Sequence, residues 1–120
     1  MKRVLLVDDH DLFRRMLAVV LERHTDLKED VHAGSLAEAR SALNGHHGDL
    51  DVAVVDLDLP EGEATELVRE LRALGVPVLG IVGPQDTERR ERALRAGAGE
   101  VLRTDSSGDE IVGAVKRLVG

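Results

Sequence analysis

The fold is decided by one stretch of the chain, Val52-Ala53-Val54-Val55-Asp56-Leu57-Asp58-Leu59-Pro60. Its first four residues are apolar and three are β-branched, which is typical of a strand buried on both faces in the middle of a parallel sheet. The strand runs directly into Asp56, and Pro60 ends the extended segment. Ligands of open parallel sheets bind at the carboxyl ends of the strands, so this carboxylate is placed for chemistry.

A second apolar strand, residues 3–7, ends in Asp8 and Asp9. If the two strands are neighbours, their carboxylates converge, which is unfavourable unless a cation lies among them. Carboxylate oxygens suit Mg²⁺, which could also hold a phosphoryl group in line for attack by an Asp oxygen. The main functional prediction is therefore an acidic cation site formed by Asp8, Asp9 and Asp56, with Asp58 two residues further on.

The rest of the chain alternates between strand and helix patterns. Period-2 and buried patterns predict strands at 3–7, 27–33, 52–56, 76–82 and 100–103, and helical spacing predicts helices at 11–24, 35–43, 63–74, 87–96 and from 107 onward. Capping boxes open the second and fifth helices, at Ser35 and Ser107. Right-handed crossovers then imply an α/β fold: a flavodoxin-like, doubly wound (βα)5 domain over residues 1–120, with a five-stranded parallel sheet and helices on both faces.

Four helices carry apolar residues expected to pack on the sheet, and those of the fifth helix are Ile111, Val112, Val115, Leu118 and Val119. The first helix has one apolar stripe, and in the third helix Leu67, Leu71 and Leu74 should face inward. The stripe of the first helix contains Leu12, Phe13, Met16, Leu17, Val20 and Leu21. The fourth helix is rich in arginine and has only Ala93, Leu94 and Ala96 as an apolar face. Its arginines are either a charged outer face with Glu partners or a partner surface.

Composition limits the function classes. The 120 residues fit one domain, the net charge of -7 argues against binding nucleic acid or an anionic membrane, and the single aromatic residue, Phe13, leaves little capacity for base stacking. There is no cysteine, so disulfides and thiolate metal sites are excluded. No apolar run has membrane-spanning length or the form of a signal peptide, so a soluble cytoplasmic protein is expected.

Together, these residues resemble the receiver domains of two-component response regulators. The resemblance is carried by Asp8-Asp9 after the first strand, Asp56 at the end of the third, Leu59-Pro60 just beyond, and Gly97-Ala98 before the fifth strand. The segment from Asp8 to Arg14, together with Asp105 and Ser107, looks most like the receivers of LuxR-type transcription regulators.

The resemblance implies a role for each acidic residue. Asp56 would accept a phosphoryl group from a sensor histidine kinase, Asp9 would ligate Mg²⁺, Asp8 would act through water, and Asp58 would offer its backbone carbonyl. It also implies regulation of an output, which is transcription in such regulators, and a homodimer through the fourth helix, fifth strand and fifth helix. Any DNA contact would belong to a C-terminal helix-turn-helix domain that these 120 residues do not contain.

Four positions depart from the family pattern. Val82 stands where receivers have the Thr or Ser that bonds the phosphoryl group, and Thr104 stands where they have a Lys. Val101 replaces the switch aromatic and Ala64 replaces a Gly. A hydrogen bond to a charged group contributes roughly 1.5 to 3 kcal/mol, so an aspartyl phosphate should be held less well and the switch weakened. Arg103 is a doubtful substitute for the Lys, because neighbouring strand side chains point to opposite faces.

Several alternatives remain open at this point. A phosphorylation-independent interaction module would also retain the acidic residues. Asp56-Leu57-Asp58 resembles the nucleophile motif of haloacid-dehalogenase-type phosphatases, but an enzyme is not expected, because that family places the motif on its first strand and supplies a strand-end Lys and a larger domain. Asp9 or Asp11 could simply cap the first helix, and the Asp58 side chain could only face water. His46 and His47 with Asp49 could bind a transition metal, but a solvated loop is favoured.

Overall fold

Five parallel strands and five helices alternate along the chain in a computed structural model that describes residues 2–45, 49–60 and 64–120. The strands are β1 (Lys2–Val7), β2 (Leu27–Ala33), β3 (Val52–Asp56), β4 (Val78–Val82) and β5 (Glu100–Arg103). The helices are α1 (Asp11–His24), α2 (Leu36–Gly45), α3 (Thr65–Ala73), α4 (Thr87–Ala96) and α5 (Gly108–Val119). All strand pairs are parallel, in the order β2-β1-β3-β4-β5. The predicted flavodoxin-like fold is confirmed.

The sheet separates two apolar clusters, which explains why the strands are apolar on both faces. Along β3, Ala53 and Val55 join one cluster, whereas Val52 and Val54 join the other. The first cluster contains buried residues of α2, α3 and α4, and the second contains those of α1 and α5. Helices therefore cover both faces, as a parallel sheet requires.

The apolar face of α1 is only partly buried, contrary to a single inward stripe. Leu17 and Leu21 are buried, but Leu12 is 73% exposed and Met16 is 58% exposed. With 3.6 residues per turn, the apolar residues of this helix form two adjacent stripes, and the sheet covers only the one that includes Leu17 and Leu21. In α4, Ala93 and Ala96 are buried as predicted, but Leu94 is 37% exposed.

The connection between α3 and β4 differs from the prediction. The helix ends at Ala73, so Leu74 is not inward and is 37% exposed, since the chain turns away through Gly75 at φ +80°. The amide of Val76 donates to the carbonyl of Leu71 (2.9 Å) instead of entering the sheet. The regular ladder of β4 therefore begins two residues later than predicted.

Side-chain caps begin three of the helices. Ser107 and Glu110 form the predicted reciprocal capping box of α5, and the Ser35 hydroxyl accepts from the Glu38 amide (3.1 Å) before α2. At α4 the cap is the Asp86 carboxylate, which accepts from the Arg89 amide (3.1 Å). These contacts satisfy amides that no helical carbonyl can reach.

The predicted turn at 61–63, the predicted start of the third helix at Glu63 and the histidines His46 and His47 lie outside the described residues. Among the helices that the structure describes, none combines the length and the apolar character needed to cross a membrane.

Candidate functional site

The acidic residues lie where the direction of the chain across the sheet reverses. β1 pairs with β2 on one side and with β3 on the other, and Val7 is in register with Val55. Asp8 and Asp56 are the next residues on the two strands. One ligand atom from each of Asp8, Asp9, His10 and Asp56 lies within 4.8 Å of the others. The structure thus brings together Asp8, Asp9 and Asp56, and adds His10, at the switch point where such folds bind ligands.

The surroundings of Asp56 raise the pKa of its carboxyl group. Its residue is only 6% exposed, and this burial raises the pKa of Asp56 from 3.8 to about 6, even though the Asp58 amide donates to its Oδ1 (2.9 Å) and opposes the rise. The negative charges of Asp8, Asp58 and Asp9 raise it further. A cation in the cluster would favour the ionised carboxylate.

The turn after β1 is held by its own side chains. Asp8 Oδ1 accepts from the His10 amide (2.8 Å) and lies 3.2 Å from His10 Nδ1, which is also 3.4 Å from Asp9 Oδ1. The hydrogen bond to Asp8 and the charge of Asp9 raise the pKa of His10. His10 is the N-cap of α1 but provides no side-chain cap, so neither Asp9 nor Asp11 acts as the N-cap residue.

Arg14 also holds this turn, through a hydrogen bond to the Asp8 carbonyl. The sequence did not predict it as a site residue. Its Nη1 donates to the Asp8 carbonyl (2.5 Å), its Nη2 to Asp11 (2.6 Å) and its Nε to His32 Nδ1 (2.9 Å). Because an arginine only donates, His32 accepts through Nδ1 in this arrangement. Arg14 is one turn into α1, a position close to the preceding strand end, which is the signal that could have identified it.

The Asp58 side chain does not simply face water, contrary to the interpretation from sequence. Its Oδ2 accepts from the Gly83 amide (2.8 Å), just after β4, and its Oδ1 accepts from Arg89 Nη1 in α4 (2.5 Å). The sequence predicts Arg89 only as one of the arginines of α4, on either a charged outer face or a partner surface. Its place in the first turn after β4 was the available signal, because that turn must lie near the carboxyl ends of the strands.

A pocket of about 550 Å³ opens above the cluster. It is lined by Asp8, Asp9, His10, Phe13, Asp56, Asp58, Pro60 and Thr104. Thr104 therefore lies at the pocket, whereas Arg103 forms a two-point ion pair with Asp105 (2.6 and 2.9 Å). Among the described lining residues there is no lysine or arginine.

The other departures from the family pattern are apolar residues that are buried or partly buried. Val82, at the end of β4, is 2% exposed, and its carbonyl accepts from the Thr104 amide (2.8 Å). Val101 is partly buried against the cluster on the α2, α3 and α4 side, and Ala64 is buried. The branched Val82 side chain offers no hydroxyl to the pocket.

The donor set fits a hard divalent cation. Three carboxylates and no thiolate converge, two of them on buried residues, Asp8 and Asp56. Mg²⁺ takes one or two protein carboxylates and keeps several waters, which the open pocket can admit. Burial, and after it the charges of Asp8, Asp58 and Asp9, raise the pKa of Asp56, and a cation at the cluster would favour its ionised form.

Comparison with known proteins identifies the class that this fold and site define. The family model for the response regulator receiver domain matches residues 4–116. The chain belongs to this family, as the sequence predicted. Members of the family are signalling modules and not catalysts in the usual sense. They pair with histidine kinases. The acidic cluster lies where receivers have their Mg²⁺ site.

Individual relatives agree with this assignment. The chain is 36% identical over 118 residues to the DNA-binding transcriptional activator DevR/DosR of Mycobacterium tuberculosis, covering 97% of this chain and 54% of that protein. It is 28% identical to the signal receiver domain of the putative response regulator NarL from the same organism, with a TM-score of 0.79 and coverage of 98% and 95%. A receiver domain protein from Clostridium thermocellum shares the fold, with a TM-score of 0.88 at 21% identity and coverage of 99% and 94%. The chain spans about half the length of the curated relatives that it matches.

Proposed function

We propose that Asp56 accepts a phosphoryl group from a sensor histidine kinase, in a receiver domain that comprises residues 1–120. The observation that supports this most is the convergence of Asp8, Asp9 and Asp56 within 4.8 Å at the switch point of the sheet. The Asp58 amide holds Asp56 Oδ1 (2.9 Å). This bond restrains rotation of the carboxylate and leaves the other oxygen without this backbone contact.

Asp9 and Asp56, with Asp8 acting through water and Asp58 through its backbone carbonyl, are proposed to hold Mg²⁺. The bound cation would neutralise charge on the transferring phosphoryl oxygens. Asp8 is already held by the His10 amide, and Arg14 holds its carbonyl. These two contacts hold the turn after β1 in place.

We also propose a weakened link between Asp56 and the β5 and α5 elements, so that phosphorylation of Asp56 would change the conformation of these elements less than in related receivers. Val82 replaces the hydroxyl, Thr104 the lysine and Val101 the aromatic residue on which that link depends in related receivers. Missing two contacts of roughly 1.5 to 3 kcal/mol each should leave the phosphorylated state less well held. A phosphorylation-independent interaction module is the second candidate, favoured by the same three residues.

The output is proposed from the relatives. DevR/DosR is a DNA-binding transcriptional activator that is longer than this chain, so we propose regulation of transcription through a DNA-binding domain outside these 120 residues. The α4, β5 and α5 face is the proposed homodimer surface. Pairing with a kinase of this class favours action in the cytoplasm.

Beryllofluoride, which mimics a phosphoryl group on a carboxylate, provides the test. With Mg²⁺ it should shift the backbone NMR signals of Asp9, Leu57 and Asp58, and Asp56→Asn should abolish these shifts. Signals of Val101 and of α5 should move little, because Val82 and Val101 cannot make the usual contacts. Failure to shift signals near Asp56 would contradict phosphoacceptance, and large shifts through β5 and α5 would contradict the weakened link.

A further inference from the structure

The Asp58 side chain connects three parts of the molecule. Its carboxylate accepts from the Gly83 amide (2.8 Å) and from Arg89 Nη1 (2.5 Å). These contacts join the segment after β3 to the segment after β4 and to α4. The family resemblance implies only a backbone carbonyl role for position 58, so these side-chain contacts add to what the resemblance implies.

Arg89 occupies an electrostatically unfavourable place in its helix. Asp86 is the N-cap of α4 and accepts from the Arg89 amide (3.1 Å), so Arg89 lies in the first turn. A helix N-terminus carries partial positive charge and disfavours a cation there. The carboxylates of Asp58 and Asp86, at 2.5 and 3.4 Å from Arg89 Nη1, compensate for this.

The ion pair of Arg89 with Asp58 is connected to Asp56, the proposed phosphoacceptor, through Asp58 alone. The Asp58 amide donates to Asp56 Oδ1 (2.9 Å), while its side chain binds Arg89. Arg89 and Asp58 are each about one third exposed, at 34% and 30%. Because Asp58 lines the pocket, the guanidinium bound to it is near the pocket, and its partner can be exchanged without opening the core.

We propose that Arg89 is the cationic partner of an anionic group on Asp56, and that Asp58 competes with this group for it. The inference rests on the proposed phosphoacceptor role of Asp56. Added negative charge on Asp56 repels the Asp58 carboxylate and attracts the guanidinium. Arg89 then exchanges a carboxylate oxygen for an oxygen or fluorine of the bound anion, and the first turn of α4 moves with it. The Arg89 guanidinium of α4 thus supplies the positive charge that Thr104, which stands in place of the family's Lys, cannot supply.

This exchange predicts opposite effects for the two members of the ion pair. At saturating Mg²⁺, Arg89→Gln should weaken beryllofluoride binding about tenfold, because one charge-assisted contact is lost. Asp58→Asn should tighten it about threefold, since the amide still accepts from Gly83 but no longer competes as a charge. Arg90→Gln is the matched control, because it removes the same charge from the same turn at an exposed position, and binding should stay near that of the unmodified protein.

NMR titration with beryllofluoride measures both the affinity and the path of the shifts. In the unmodified protein, signals of Gly83 and of residues 87–89 should move, and in Arg89→Gln they should lose most of this movement while those next to Asp56 still shift. Spectra without ligand establish that each variant is folded. If Arg89→Gln keeps the α4 shifts, or if both variants weaken binding equally as a purely structural ion pair would, the inference is overturned. Absence of any shift near Asp56 in the unmodified protein would instead overturn the phosphoacceptor proposal, and this inference with it.

Discussion

Mg²⁺ at about 100 times its dissociation constant should stabilise the folded chain by about 2.7 kcal/mol, because the unfolded chain cannot assemble the cluster. For a domain of this size the melting temperature should rise by about 10 °C. The physical reason is the crowding of Asp8, Asp9 and Asp56 within 4.8 Å, which costs free energy until a cation neutralises it. Differential scanning calorimetry with and without Mg²⁺ measures the effect directly.

The control for this experiment separates a specific site from general screening. Asp9→Asn should remove most of the Mg²⁺ stabilisation, whereas Asp26→Asn should retain it, since Asp26 is an exposed residue that pairs with Lys2 at 3.6 Å, away from the cluster. Sodium chloride at matched ionic strength should reproduce little of the shift. An equal rise in Asp9→Asn and the unmodified chain would contradict a cation site at this cluster.

Asp56→Asn should stabilise the metal-free protein at neutral pH. The folded protein retains the Asp56 proton up to a pKa of about 6, whereas the unfolded chain releases it near 3.8. Between these values the folded state binds more protons, so the stability of the unmodified protein falls as pH rises, and the full cost is present above pH 6. The difference in pKa corresponds to about 3 kcal/mol, and solvent at the open pocket reduces the expected gain to about 1 to 2 kcal/mol.

Urea unfolding in EDTA across pH 4 to 8 is the appropriate measurement. The unmodified protein and Asp56→Asn should have similar stability near the lower end and diverge as pH rises through about 6, the range set by the pKa of Asp56. Asp26→Asn should differ from the unmodified protein by no more than about 0.5 kcal/mol throughout, as an exposed substitution does. Equal stability of Asp56→Asn and the unmodified protein at all pH values would show that Asp56 is not strained by burial and charge.

Much of the fold could be predicted because local patterns and topology agree. The bounds of α1, α4 and β5 follow from clear changes of periodicity between short turns. The meeting of Asp8 with Asp56 follows from two apolar strands that end in acids, provided that they are neighbours, as the pairing of Val7 with Val55 shows.

The wrong predictions of burial have a common physical cause, because the burial of a side chain depends on how much of its helix face the neighbouring elements cover. Leu12 and Met16 continue an apolar helix pattern beyond the width that the sheet can bury, and Leu74 keeps the helical spacing after the helix has ended. Sequence periodicity records which residues share a face. Periodicity does not show how much of that face the neighbouring elements bury, or at which residue the helix ends.

The candidate site could be predicted to the level of its acids but not of its cations. Arg14 and Arg89 reach the cluster from first turns of two different helices, through contacts with Asp8 and Asp58 that span 6 and 31 residues. Long arginine side chains can turn toward either end of a helix, so residue type and spacing leave their partners undecided. Only the tertiary arrangement assigns them.

Phosphorylation followed by intact-protein mass spectrometry tests the central claim that Asp56 and its acidic neighbours form a phosphoacceptor site. Incubation with acetyl phosphate and Mg²⁺ should add one phosphoryl group to the unmodified chain, and none in EDTA or in Asp56→Asn. An adduct that persists in Asp56→Asn, or no adduct in the unmodified chain with either acetyl phosphate or a phosphorylated histidine kinase as the donor, would contradict it.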